Sequence, residues 1–132
     1  MSNIDQTEAG NMLAASLGLT SYTATTTPLK GRLGTTTPTA TSNMTEVSNS
    51  GGSTYASQTV NTALGSVSAG AVSNSSAITW TNLPTATITA LELWDSAGTP
   101  KRKWFGLLAA SKSVLLGDSL TLAIGALNIS IA

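Results

Sequence analysis

Ala86-Thr-Ile-Thr-Ala-Leu-Glu-Leu-Trp94 reads as a β-strand with apolar residues on both faces. A half-solvated strand alternates apolar with polar side chains, so one that is apolar on both sides has to lie inside a sandwich or between subunits. The rest of the chain fits around that requirement. Short strand patterns fall at residues 77–80, before the Leu83-Pro84 break, and at 104–110, after turn chemistry at 95–100. Val114 and Leu116, then Leu120, Leu122 and Ile124, flank Gly117-Asp118 as a hairpin pattern, and Leu127, Ile129 and Ile131 continue the period of two. Upstream, Leu29, Gly31 and Leu33 alternate with Lys30 and Arg32, while 55–60 and 67–72 are shorter candidates. About six to eight short strands, with turns roughly every 8–12 residues, describe an all-β antiparallel β-sandwich, jelly-roll-like in plan. No helices intervene to build a parallel α/β sheet.

One short N-terminal helix is expected over residues 5–18. Ala9, Met12, Leu13, Ser16 and Leu17 share a side at helical spacing, Asp5 and Glu8 have capping-box spacing, and Gly18 stands at the stop. So narrow an apolar face has to dock on the domain body or on a neighbouring subunit, which makes Met12, Leu13 and Leu17 candidate partner-binding residues. The Thr-rich stretch that follows merges into a long loop over residues 35–54 around Pro38 and Gly51-Gly52, a length associated with function or mobility. The expected organisation is a helix and extended arm over 1–45 and a sandwich body over 46–132, within a single domain.

Charge narrows the function classes. Charged residues make up 9% of the 132, against roughly 25% in ordinary soluble domains. Forty Ser and Thr residues supply polarity instead. A surface so poor in charge suits a chain that works assembled. Zero net charge gives no field for nucleic acid. Met1-Ser2-Asn3-Ile4-Asp5 has no basic run ahead of an apolar stretch, so no secretory signal is expected. Lys112 and Asp118 interrupt the most hydrophobic region, so no membrane span is expected either.

Catalysis at neutral pH usually recruits His, Cys or a tuned carboxylate pair, and this chain has neither His nor Cys. Glu92 and Asp95 sit at opposite parities of one strand and make a poor acid/base pair. Ser111 and Lys112 are adjacent on a strand and point apart. No loop gathers the oxygen ligands that a metal needs. Neither enzyme activity, a metal nor a cofactor is expected.

Recognition has two candidates. Lys101-Arg102-Lys103 holds half of the positive charge just after a turn; it is either an anchor for acidic groups on a partner or a solvated hairpin tip. Trp80, Trp94 and Trp104 could line a sugar-binding face, although such residues more often fill a core or an interface. Asn43-Met-Thr45, Asn74-Ser-Ser76 and Asn128-Ile-Ser130 match the glycosylation pattern as chance matches in so Ser/Thr-rich a chain.

Several runs together resemble a small virion structural protein of tailed bacteriophages. They are Thr45-Glu-Val-Ser48, Gly51-Gly52 with Tyr55-Ala56, Gly70-Ala-Val-Ser-Asn74, Ala77-Ile-Thr-Trp80, Ile88-Thr-Ala-Leu-Glu-Leu-Trp-Asp95, Leu107-Leu-Ala-Ala-Ser-Lys-Ser-Val114, and Gly117-Asp-Ser-Leu-Thr-Leu-Ala-Ile-Gly-Ala-Leu-Asn-Ile-Ser-Ile131. Members of this group are labelled small tail-fibre-like or minor structural proteins, and some are assigned to capsid decoration. The resemblance implies a trimeric β-sandwich subunit without an enzyme site, whose partners are copies of itself and a major capsid or tail protein. Compact size and the absence of long repeats favour the capsid surface, where a cement protein stabilises the lattice by binding it once assembled. The alternative is a tail- or fibre-associated protein that binds a receptor or glycan. A cellular sugar-binding sandwich module is disfavoured by the missing secretion signal.

Overall fold

A computed structural model describes residues 3–131 of the chain. In order, the elements are β1 (Asn3–Ile4), α1 (Gln6–Ser16), β2 (Lys30–Gly34), β3 (Gln58–Thr59), a 3-10 turn (Asn61–Ala63), β4 (Ala71–Ser73), β5 (Ile78–Trp80), β6 (Ala86–Trp94), β7 (Arg102–Val114), β8 (Leu120–Leu122) and β9 (Asn128–Ser130). The all-β plan with one N-terminal helix holds. Five strands form an antiparallel sheet in the order β1-β7-β6-β2-β3, and two ribbons pair β4 with β9 and β5 with β8. The alternation of Leu29, Gly31 and Leu33 with Lys30 and Arg32 is realised as β2 within the sheet, with Arg32 opposite Glu92 and Leu33 opposite Leu91.

The core joins the sheet to the ribbons. Leu33, Leu91 and Leu93 from the sheet cluster with Ile78 and Trp80 of β5, Leu120 of β8 and Ile129 of β9. Trp80 is fully buried, and its indole N–H donates to Gly31 O at 3.1 Å, which satisfies the ring's polar atom inside apolar surroundings. As its sequence requires, β6 is buried on both sides. Leu91 and Leu93 enter the core, while Ala90 and Glu92 are also buried, and Met44 N donates to the Glu92 carboxylate at 2.8 Å.

The expected hairpin around Gly117-Asp118 does not form. The chain turns there, with Leu115 N donating to Asp118 Oδ2 at 2.8 Å, but β8 then pairs with β5, some forty residues back, and not with β7. Apolar alternation specifies which face a strand presents, while the partner it pairs with is decided by the layer its apolar face must cover. Buried Asn74 secures the other ribbon: its side chain donates to Ser76 O and Ala123 O and accepts from Leu127 N, each at 2.9 Å.

Candidate subunit interface

What remains on the surface depends first on where the charges go. Arg102 and Lys103 are buried, so the solvated hairpin tip is not found, and their carboxylate partners belong to the same chain. Arg102 meets Glu92 at 2.9 Å and Asp5 at 2.9 Å, and it donates to Ser42 O at 2.8 Å, Thr39 O at 2.7 Å and Ala40 O at 3.1 Å. Its guanidinium also lies 4.6 Å from the centre of the Phe105 ring. One side chain thereby ties the start of α1, the middle of the sheet and the long loop together.

Lys103 is held by Glu8 at 2.8 Å and Asp95 at 3.8 Å, and Tyr22 donates its hydroxyl to the other Glu8 oxygen. Burial pulls the Lys103 ammonium down, but the hydrogen bond and charge of Glu8, then Tyr22 and Asp95, outweigh it and its pKa is raised. Of the triplet, only Lys101 is exposed. An anchor for acidic groups on a partner therefore loses two of its three cations to the interior. Asp5, Glu8, Glu92 and Asp95 are the counterparts that the sequence did not reveal. Local spacing cannot show a pair 97 residues apart in the chain, although six of the twelve charged residues meet here.

The same contacts turn α1 around. Asp5 caps it by accepting from Thr7 N at 2.9 Å. Glu8 reaches Lys103 instead of closing the expected capping box. Glu8 is the buried residue of this helix, whereas Leu13 and Leu17 are 61% and 64% exposed and Met12 is half-buried. Of the two expected docking surfaces for the apolar side of α1, the domain body and a neighbouring subunit, the body is not used: an ionic attachment holds the helix and leaves the leucines outside.

A second apolar surface lies along β7. Ile88 pairs with Lys112 and Ala90 with Leu107, so residues 108–111 bulge out opposite Thr89 alone. Ile88 and Leu91 both belong to the core cluster. The bulge forms part of a groove of about 550 Å³, to which β7 contributes Leu107, Leu108, Ala109 and Ala110 and the far side contributes Leu120, Leu122 and Leu127. Leu107 is 60% exposed. β1 pairs at Trp104 and Phe105, and no strand among the described residues covers the outer edge of β7 from Leu108 to Val114. An open strand edge of this length, with unpaired backbone groups, is where chains associate.

The tryptophans do not form a sugar platform. Trp80 is in the core, Trp104 packs against it, and the Trp94 ring carries Arg32 at 4.4 Å while donating to Glu92 at 2.9 Å. A comparison with curated proteins returns no match. The family model described as Podophage GP4 fiber I protein gp80 matches residues 2–130, and the chain belongs to that family.

Proposed function

We propose that the chain is a structural subunit of a phage fibre, held by packing against copies of itself and against a neighbouring virion protein, with no catalytic role. Membership in a fibre family supports a phage virion structural protein. The observation that carries the self-packing reading is the distribution of polarity. Ionic groups are concentrated inside the subunit, while Leu107 and the open edge of β7 face outward beside an apolar groove. A surface of this kind gains by leaving water, and its neutrality removes the repulsion that keeps monomers apart.

The capsid-surface placement favoured by the chain's compact size gives way here to the fibre, which the family description names. A trimer is the assembly implied by the resemblance, and the groove and open edge give it surfaces to use. Antibody against the chain, applied to intact particles and imaged by electron microscopy, tests the placement. Label confined to fibres is the expected result. Label spread evenly over the shell would restore the cement reading.

A further inference from the structure

We propose that Lys103 and Asp95 close an intramolecular isopeptide bond, with Glu8 carrying the protons. An amide condensation needs an amine, a carboxyl acceptor and an acid–base group, and all of these meet inside the subunit. Lys103 Nζ lies 2.8 Å from Glu8 Oε2 and 3.8 Å from Asp95 Oδ2. The Lys103 side chain is 11% exposed and those of Glu8 and Asp95 are 5% exposed, so little water reaches the groups that would react. The two acids differ in their surroundings. Glu8 has both oxygens engaged as acceptors, one from Lys103 and the other from the Tyr22 hydroxyl, which suits it to take and return protons. Asp95 Oδ1 accepts from Lys101 N at 2.7 Å and from Ala97 N at 3.4 Å, backbone donors placed to hold negative charge on that oxygen. Its Oδ2, on the lysine side, has no further hydrogen bond among the described residues and can leave.

The step balances within the site. Glu8 takes one proton from the Lys103 ammonium and hands it to Asp95 Oδ2, and the freed amine attacks Asp95 Cγ. Oδ1 carries the negative charge of the tetrahedral species. Glu8 then moves a second proton from the nitrogen to Oδ2, which leaves as water while Oδ1 re-forms the carbonyl. Ammonium and carboxylate have become amide and water, with Glu8 unchanged and no co-reactant consumed. Condensation is unfavourable between free groups in water, but groups held in place reach effective concentrations of about 10⁵–10⁸ M. The ion pair described above is the open form. There the raised pKa of Lys103 keeps the free amine scarce, so closure is slow. Once formed, the amide replaces two buried charges and locks the β6–β7 turn over residues 95–103 into a covalent ring, whether or not copies associate.

The test is the intact mass of the purified full-length chain, fresh and after several days at physiological temperature. Folded protein should convert to a species lighter by one water, while the same chain kept in urea should stay at full mass. Trypsin then locates the bond without any variant. An acylated Lys103 resists cleavage, so residues 103–112 should emerge joined to residues 33–101, which contain Asp95. Glu8→Gln should slow the conversion at least tenfold, on the scale of losing one proton carrier. Full mass at every time point overturns the proposal. So does a lost water with residues 103–112 left unjoined, or with those residues joined instead to the peptide ending at Lys30, which contains Glu8.

Discussion

The Arg102 guanidinium meets the Glu92 carboxylate at 2.9 Å, with both side chains 2% exposed. Neither charge could stay there alone, because the interior does not replace lost hydration without a partner. Here the partners are plentiful. Glu92 also accepts from Met44 N and from the Trp94 indole, and Arg102 fills its remaining N–H groups with Asp5 and with three carbonyls of the long loop. Helix cap, loop and sheet are therefore stabilised as one unit.

Arg102→Met keeps most of the volume and removes the charge, leaving the buried Glu92 carboxylate with Met44 N and the Trp94 indole as its partners and no cation beside it. Such a break costs about 3–5 kcal/mol. Urea denaturation should show a midpoint lowered accordingly, and a loss below about 1 kcal/mol would mean that the pair is not a major brace.

Alkaline pH should weaken the fold. Lys103 has a pKa raised above its ordinary 10.5, and Tyr22 and Tyr55 are raised above 10.0, in both tyrosines chiefly through burial. A group whose folded pKa exceeds its unfolded value lends stability that is complete below the unfolded value and is lost as pH rises through the folded one. Stability should thus be insensitive to these groups below about pH 10 and fall above it. Tyr55 donates to Glu46 at 3.0 Å and accepts from Leu33 N at 2.9 Å, so Tyr55→Phe lowers stability at neutral pH but should flatten the alkaline decline. An unchanged slope above pH 10 in that variant would contradict the assignment.

Gly31 is fixed by close approach. A Cβ there would lie 2.9 Å from Val60 Cγ2 and 3.1 Å from Trp80 Cζ2, both on fully buried side chains. Gly31→Ala should cost about 1–3 kcal/mol by overpacking. Gly98→Ala, with nothing within 4 Å of the added carbon, should change stability by no more than about 0.5 kcal/mol. Equal melting temperatures for the two variants would refute the contrast.

The sequence made the β architecture legible because period-two alternation reports burial directly, as in 120–122 and 128–130, and because a strand apolar on both faces, as in 86–94, has to be covered on both. The Asp5 cap was readable for the same local reason. Pairing was not. Nothing within residues 114–124 says that β8 will join β5 instead of β7, since that choice depends on which layer needs covering. The charge pairing is illegible in the sequence because it is non-local. Lys101-Arg102-Lys103 looks solvated beside its turn, yet Arg102 and Lys103 find carboxylates contributed from the start of the chain. Once Glu8 turns inward to Lys103, Leu13 and Leu17 must face out, the reverse of what helical spacing alone suggests. They remain candidates for partner contact, now on the outer side of the helix.

Sedimentation of the purified full-length chain across a micromolar concentration series tests most directly whether this subunit is built to pack on itself. A folded assembly of several copies, reduced to smaller species by Leu107→Lys/Ala110→Lys, is the result predicted. A stable, folded single chain throughout the series would contradict it.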